Sequence, residues 1–307
     1  MRHPTYDTPG DLPGRRQLQV YHSGLAVSPG GGLANLVTDL GAIDRSEVLA
    51  LEHVSVVRDG RFLLADVDWH VHRHERWVLL GPNGAGKTTM LQVASTYLGP
   101  THGTVRLLGE THGKVDVRTL RERVGYVGSG PAKMIRDRLP AIDIVVTGKH
   151  ASFVDTRWHD YSDADWEFAH RLLDRFQADH LADRSYGTLS TGEKQRVFVA
   201  RSLMTRPEVL LLDEAMTGLD VGARERLVAS MSDLASDPES PAAVLVTHHV
   251  EEIPPGFDHI ALMSQGRIIA SGPVDAVLTG ASLSECYAED LRVERIDGRY
   301  RAWLASS

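Results

Sequence analysis

The sequence feature that most constrains the fold is GPNGAGKTTM, residues 81–90, which directly follows the apolar run WVLL of residues 77–80. A short, continuous apolar run is typical of a parallel strand that is buried on both faces. The segment KTTMLQVASTYL, residues 87–98, predicts a helix after the loop. The sequence therefore predicts a buried strand, a glycine-rich loop and a helix in direct succession.

Four residues of this loop fit the pattern G-x-x-x-x-G-K-[ST], which indicates a phosphate site when it lies between a strand and a helix. The glycines let successive N–H groups point at phosphate oxygens, and the helix N-terminus adds partial positive charge. Lys87 supplies a full charge for the β- and γ-phosphates of a nucleotide, and the Thr88 hydroxyl can bind Mg²⁺. The predicted contacts are Gly81, Pro82, Asn83, Gly84, Ala85, Gly86, Lys87, Thr88 and Thr89.

A second motif, which is acidic, supplies the two groups that a nucleotide site still needs: an acid that orients the magnesium ion and a group that activates water. In EVLLLDEA, residues 208–215, an apolar strand ends at Asp213, and Glu214 follows it. An aspartate at this strand end is expected beside the phosphate loop, where it holds the metal. Glu214 is expected to act as general base or to polarise the attacking water.

Further strands predict the architecture. Apolar runs at residues 124–127, 209–212, 243–247 and 260–263 alternate with helical stretches, as in a parallel α/β sheet. LALEHVSVV and ADVDWHVH, residues 49–57 and 65–72, flank the turn signal RDG and predict an antiparallel hairpin. We expect an α/β fold with a parallel sheet core, an antiparallel β subdomain and an inserted α-helical subdomain.

The composition of the chain suggests where its domains begin and end. Residues 1–46 contain four prolines and a Gly-Gly-Gly run and predict a flexible extension. The main domain is expected over residues 47–283, with the helical subdomain at about 130–188. In the latter, Ser162 and Asp165 predict a capping box. Residues 284–307 predict a short C-terminal hairpin that turns at Asp297-Gly298.

Charge and hydropathy exclude some classes of protein. The formal net charge is −8, which argues against a general nucleic-acid binder, so no nucleic-acid partner is expected. The single cysteine, Cys286, excludes an intramolecular disulfide. No window approaches the about 18 consecutive apolar residues of a membrane-spanning helix. We therefore expect a soluble, cytoplasmic chain that reaches a membrane only through a partner.

Three more motifs identify a family. LSTGEKQRVFVARSLM, residues 189–204, resembles the LSGGQ signature of ABC-type ATPases. TGLD, residues 217–220, is similar to the D-loop of that family, and VTHHVEE, residues 246–252, to its switch-histidine loop. The motifs also follow one another in the order of the family. The resemblance covers about residues 48–283 and implies the P-loop NTPase (RecA-like) fold, ATP as substrate and Mg²⁺ as cofactor.

The resemblance also implies a head-to-tail dimer, either a homodimer or a pair of ABC subunits, that closes over two ATP molecules. Ser190, Gly192 and Glu193 would then meet the γ-phosphate held by the opposite subunit, through a helix N-terminus. Asp220 would cross the dimer interface. His248 would contact the γ-phosphate; the Thr-His step favours it over His249.

Four positions depart from the family pattern. Thr191 and Glu193 in the signature are mild changes, because the serine and the second glycine stay. Ser129 stands where the family usually has a glutamine that contacts the metal, and it could still bind the metal through water. Arg58 stands where an aromatic side chain commonly stacks on adenine. A guanidinium plane can stack on a base, so Arg58 is either a substitute for the aromatic ring or a plain surface arginine.

These features predict the ATP-binding and ATP-hydrolysing subunit of an ABC transporter, peripheral on the inner face of the cell membrane. It would dock on a separate integral-membrane permease through the groove between the Ser129 loop and the helical segment. One alternative is a soluble ABC-type ATPase that acts on ribosomes, DNA or cofactor assembly. Another is a nucleotide-binding regulator that hydrolyses poorly, against which the intact Asp213–Glu214 pair argues.

Overall fold

The computed structural model of the chain describes residues 46–128, 135–151 and 156–305. Ser129 and nearly all of the expected N-terminal extension lie outside these residues. The strands are β1 Glu47–Arg58, β2 Arg61–His72, β3 Arg76–Leu80, β4 His102–Leu107, β5 Glu110–Thr111, β6 Val124–Val127, β7 Val209–Asp213, β8 Ala242–Thr247, β9 His259–Ser264, β10 Arg267–Pro273, β11 Leu291–Ile296 and β12 Arg299–Leu304. The helices are α1 Lys87–Ala94, α2 Val117–Glu122, α3 Ala141–Val146, α4 Asp163–Arg175, α5 Thr191–Ser202, α6 Val221–Ser236, α7 Val274–Val277 and α8 Gly280–Tyr287.

The central sheet has six strands in the order β10-β9-β3-β8-β7-β6. Strands β9, β3, β8, β7 and β6 are parallel, and β10 pairs antiparallel with β9. Every residue of β3 and β8 is buried, as expected for strands covered on both faces. The parallel sheet core that the sequence predicts is confirmed, and the carboxyl ends of β3, β7 and β8 meet at one edge.

A second sheet has four antiparallel strands in the order β2-β1-β4-β5. In β2 the side chains alternate between the two faces: Val67, Trp69 and Val71 are buried, whereas Asp66 and Asp68 are exposed. Their apolar face packs against the central sheet, where the rings of Trp69 and Trp77 meet edge to face at 5.6 Å. This packing fixes the antiparallel sheet beside the glycine-rich loop that follows β3.

The helical segment lies between β6 and β7. Helix α4 begins at the predicted capping box, in which the Asp165 carboxylate accepts a hydrogen bond from the Ser162 backbone N–H at 2.9 Å. Its apolar face, including Ala169 and Leu173, is buried together with Phe176. Helices α3, α4 and α5 pack through one cluster of buried side chains, which continues into the face of the central sheet. The capping box that the sequence predicts for this segment is confirmed.

Helix α1 is shorter than the sequence predicts. It ends at Ala94 rather than at residue 98. The Ser95 hydroxyl donates hydrogen bonds to the carbonyl oxygens of Leu91 and Gln92, and Thr96 has a left-handed backbone with φ of 61°. The hydroxyl therefore competes for carbonyls of the last turn, and the left-handed residue stops the helix.

The C-terminal hairpin turns at Asp297-Gly298, as predicted, with φ values of 49° and 78°. Helix α8 crosses the expected domain boundary at residue 283, because Leu283 and Cys286 are both buried in the main core. The hairpin strands therefore begin only at Leu291. Among the described residues, none of the helices combines the length and the apolar character needed to span a bilayer.

Candidate nucleotide-binding site

The glycine-rich loop wraps around the ammonium group of Lys87. Lys87 Nζ donates hydrogen bonds to the carbonyl oxygens of Gly81 and Pro82, at 2.8 and 2.9 Å. The residue is 4% exposed, and this burial lowers the pKa of Lys87, while the Glu214 carboxylate opposes the shift. A buried cation of this kind has lost most of its hydration, so an anion placed in the loop would stabilise it strongly.

Two glycines of the loop are required by close backbone approaches. A Cβ atom on Gly81 would lie 2.1 Å from the carbonyl oxygen of Met263. Gly86 has a φ of 101°, and a Cβ there would lie 2.7 Å from the carbonyl oxygen of Leu63. The loop is therefore pressed against both β9 and β2, which holds its N–H groups in place for a phosphate.

Strand β7 brings Asp213 to the beginning of helix α1. The Thr88 hydroxyl donates a hydrogen bond to Asp213 Oδ1 at 3.1 Å, and the Tyr126 hydroxyl donates one to Oδ2 at 3.3 Å. Burial raises the pKa of Asp213, and both hydrogen bonds counteract that shift. A hydroxyl and a carboxylate at this spacing are hard oxygen donors of the kind that Mg²⁺ prefers, so the residues fit this metal.

Glu214 and His248 stand at the ends of neighbouring strands. Glu214 has a left-handed backbone with φ of 50°, and its N–H donates a hydrogen bond to the carbonyl oxygen of Val246 at 3.2 Å. His248 Nδ1 lies 3.7 Å from Glu214 Oε1. Both side chains are only partly exposed. Together they form a carboxylate–imidazole pair beside the glycine-rich loop.

A cavity of about 410 Å³ opens over the glycine-rich loop. Its lining residues are Phe62, Leu63, Gly84, Gly86, Lys87, Thr88, Thr89, Glu214, Gln265 and Gly266. Arg58 is not one of them, which favours a plain surface arginine over a substitute for the adenine-stacking ring. Arg58 is paired with Arg61 at the hairpin turn, where β1 ends, so the chain reaches the cavity only with the next residues of β2. Phe62 is 63% exposed and presents an aromatic ring there instead.

The signature residues begin helix α5 away from this cavity. Ser190 caps the helix, and its side chain accepts a hydrogen bond from the Glu193 N–H at 3.3 Å. The Glu193 carboxylate accepts in return from the Ser190 N–H at 2.7 Å, which lowers the pKa of Glu193. Gly192 is packed against Ala223 of α6. None of these residues lines the described cavity.

Asp220 is exposed at the beginning of helix α6. Its Oδ1 accepts a hydrogen bond from the Ala223 N–H at 2.7 Å, so the side chain is the N-cap of this helix. Both Asp220 and the signature residues are therefore held by helix capping. The expected metal contact of Ser129 lies outside the described residues.

Several residues near the site were missed by sequence reasoning. Gln265 and Gly266 form the β9–β10 turn, in which the Gly266 N–H donates to the carbonyl oxygen of Ala85 at 2.9 Å. A two-residue turn with glycine between two apolar runs was a usable signal for this hairpin. Phe62 and Tyr126 carried no such signal, because only the tertiary fold brings their rings to the site.

The family model described as ABC transporter matches residues 64–217 of the chain. The chain is 39% identical over 247 residues to the uncharacterized ABC transporter ATP-binding protein YlmA of Bacillus subtilis, covering 80% of this chain and 93% of the relative. It is 33% identical over 253 residues to YmeB of Lactococcus lactis, also named an uncharacterized ABC transporter ATP-binding protein, covering 82% and 97%.

The fold also matches a solved structure, the ATP-binding cassette MJ0796 in a dimeric post-hydrolysis state bound to ADP and Pi. The TM-score is 0.64 at 22% sequence identity, and the match covers 74% of this chain and 98% of that one. At this identity the likeness supports the P-loop NTPase fold that the motifs imply. With the family match, it shows that the chain belongs to the ABC transporter ATP-binding proteins and is an ATP-hydrolysing cassette.

Proposed function

We propose that this chain powers a separate membrane permease by closing head to tail with a second ABC subunit around two ATP molecules. The observation that carries the proposal is the division of the motifs within one chain. The cavity is lined by Lys87, Thr88 and Glu214. The signature residues Ser190 and Gly192 lie instead at the beginning of helix α5, which does not line the cavity. Half of the site would therefore come from a partner subunit.

Within one subunit, Lys87 and the loop N–H groups would bind the β- and γ-phosphates of ATP. Thr88 and Asp213 would hold Mg²⁺, which neutralises the phosphate charge when it is bound. Glu214 would orient the attacking water and accept its proton, and His248 would contact the γ-phosphate. The 3.7 Å separation of His248 Nδ1 and Glu214 Oε1 supports a joint role for the two side chains.

The partner subunit would contribute the beginning of its own signature helix. There Ser190 and Gly192 would offer a hydroxyl and backbone N–H groups to the γ-phosphate, and Glu193 would hold the capping turn. Asp220 would lie at the interface, since it is exposed at the beginning of α6. The dimeric MJ0796 cassette, which has the same fold, supports this arrangement by analogy.

The permease would dock in the groove beside strand β6. This groove has a volume of about 290 Å³, and the residues that line it include Tyr97, Arg121, Tyr126, His150 and Arg201. It lies between the central sheet and the helical segment, so a bound element would contact both. The chain would then sit in the cytoplasm on the inner face of the membrane. The alternative is a soluble ATPase of the same family that acts on another assembly.

The test is to purify a tagged Glu214→Gln protein from membranes in the presence of Mg²⁺ and ATP. We expect a trapped dimer and a co-purifying integral membrane protein. The double variant Lys87→Ala/Glu214→Gln is the matched control and should give neither, because it lacks the cation that binds the phosphates. Recovery of ribosomes or nucleic acid instead of a membrane protein would favour the soluble alternative. A monomer in both variants would refute the closing dimer.

A further inference from the structure

The C-terminal segment, residues 280–305, comprises helix α8 and the β11–β12 hairpin and lies beyond the residues that match the family model. We propose that this segment is a positioning element for the switch-histidine loop, and that Tyr287 and Arg299 hold the backbone on which His248 is carried. The inference rests on the proposed role of His248 in hydrolysis.

Tyr287 makes the first contact. Its hydroxyl donates a hydrogen bond to the backbone carbonyl oxygen of His248 at 3.0 Å. The donor is firmly placed, because Leu283 and Cys286 of the same helix are 1% and 2% exposed in the core. Burial also raises the pKa of Tyr287, which favours the protonated hydroxyl that donates this hydrogen bond. A rigid donor thus fixes the carbonyl of the histidine itself.

Arg299 makes the second contact from a different element, strand β12. Its Nη2 donates a hydrogen bond to the backbone carbonyl oxygen of Glu251 at 2.6 Å. Its Nη1 donates to the carboxylate of Glu225 on helix α6 at 2.5 Å, and this interaction lowers the pKa of Glu225. One guanidinium therefore joins the hairpin both to the turn after His248 and to the helix that Asp220 caps.

These contacts help to position the imidazole of His248, because it lies close to Glu214 but beyond hydrogen-bond distance. The separation of 3.7 Å between His248 Nδ1 and Glu214 Oε1 leaves the imidazole sensitive to shifts of its backbone. Misplacement of a catalytic group by a fraction of an ångström lowers the rate of the chemical step more than it weakens substrate binding. Loss of the C-terminal contacts should therefore lower kcat for ATP hydrolysis while leaving KM nearly constant.

The chain provides matched controls. Tyr300 and Arg295 lie in the same segment, but both side chains donate hydrogen bonds to Asp275 rather than to the switch loop, and the Arg295 guanidinium also lies over the Tyr300 ring. We expect Tyr287→Phe and Arg299→Met each to lower kcat about 3- to 10-fold, the effect of losing one hydrogen bond to the switch loop, with KM changed less than about 2-fold. Tyr300→Phe and Arg295→Met should leave both constants unchanged.

A double-mutant cycle shows whether Tyr287 acts through His248. In a His248→Ala background, Tyr287→Phe should have no further effect on turnover. An equal loss of turnover in both backgrounds, or an equal loss of turnover in Tyr300→Phe, would overturn the proposal.

Hydrogen exchange of the amides of residues 248–252 provides a measurement that does not depend on activity. Faster exchange in Tyr287→Phe than in Tyr300→Phe supports the positioning role, and equal exchange refutes it. Absent turnover in the unaltered protein would instead refute the proposed function.

Discussion

The Tyr126 hydroxyl donates a hydrogen bond to Asp213 Oδ2 across 3.3 Å and so joins strand β6 to the end of β7. The other oxygen of the same carboxylate accepts from Thr88 in the phosphate loop. The Tyr126 ring meanwhile lines the groove and packs against Tyr97, with ring centroids 5.2 Å apart. A single side chain therefore reaches from the proposed docking groove to the carboxylate proposed to hold the metal.

Removal of this hydroxyl should change the pH dependence of hydrolysis. Burial raises the pKa of Asp213, and the hydrogen bond from Tyr126 lowers it again. In Tyr126→Phe that lowering is lost, so the pKa of Asp213 rises further and its carboxylate becomes protonated at a higher pH. The acid limb of the ATPase profile should move to higher pH, and half-saturation by Mg²⁺ should require more metal near that limb.

Tyr97→Phe is the matched control for this shift, because the Tyr97 ring packs against Tyr126 at a tilt of 41° but has no described bond to Asp213. Steady-state ATPase assays across pH should separate the two variants. An acid limb that stays in place in Tyr126→Phe, or that moves equally in Tyr97→Phe, would contradict the assignment.

Phe62 rather than Arg58 is expected to stack on the adenine ring. Phe62 lines the cavity and is 63% exposed, whereas Arg58 lies at the hairpin turn. Phe62→Ala should weaken ATP binding by about 1–2 kcal/mol, or about 5- to 30-fold in Kd, the usual effect of losing one base–aromatic stack. Arg58→Ala should change Kd less than about 2-fold. Titration with a fluorescent ATP analogue measures the Kd of both variants. A larger loss of affinity in Arg58→Ala than in Phe62→Ala would indicate that Arg58 is the residue that stacks on adenine.

The fold was largely predictable because its elements follow local rules. Buried parallel strands are continuous apolar runs, so β3, β6, β7 and β8 were visible in the sequence. The end of helix α1 was not, since it depends on a side-chain hydrogen bond of Ser95 and a left-handed Thr96. The path of α8 across the expected boundary depends on core packing, which no local pattern records.

The proposed site was predictable only where its residues form contiguous motifs. Lys87, Thr88, Asp213 and Glu214 occur in two short stretches whose strand ends must meet in a parallel sheet. Phe62, Tyr126 and Tyr287 come from elements that are distant in sequence and carry no motif. Their relation to the site arises from the packing of the antiparallel sheet, of β6 and of α8, and it became visible only in three dimensions.

Gly192 should be required for the packing of the signature helix. A Cβ atom there would lie 2.6 Å from the Cβ of Ala223 on helix α6, closer than two side-chain carbons can approach. Gly192→Ala should therefore lower the free energy of unfolding by about 1–3 kcal/mol through overpacking.

Ala223→Gly removes the opposing atom and provides the matching rescue. This single change should cost about 1 kcal/mol, because glycine is a poor helix former. The double variant should nevertheless be more stable than the sum of the two single effects predicts. Urea unfolding of the four proteins measures the coupling. If the changes in the free energy of unfolding are strictly additive, contact between the two Cβ atoms does not cause the destabilisation.

Asp220 should have two separable roles, as a helix cap and at the proposed dimer interface. Its Oδ1 caps helix α6 through the Ala223 N–H at 2.7 Å. Asp220→Ala removes the cap and should lower the free energy of unfolding by about 1 kcal/mol, whereas Asp220→Asn keeps an accepting oxygen and should cost little. If the negative charge acts across the interface, Asp220→Asn should still reduce the ATP-trapped dimer in a Glu214→Gln background. Urea unfolding and size-exclusion chromatography measure the two effects. A full dimer with Asp220→Asn would limit Asp220 to capping.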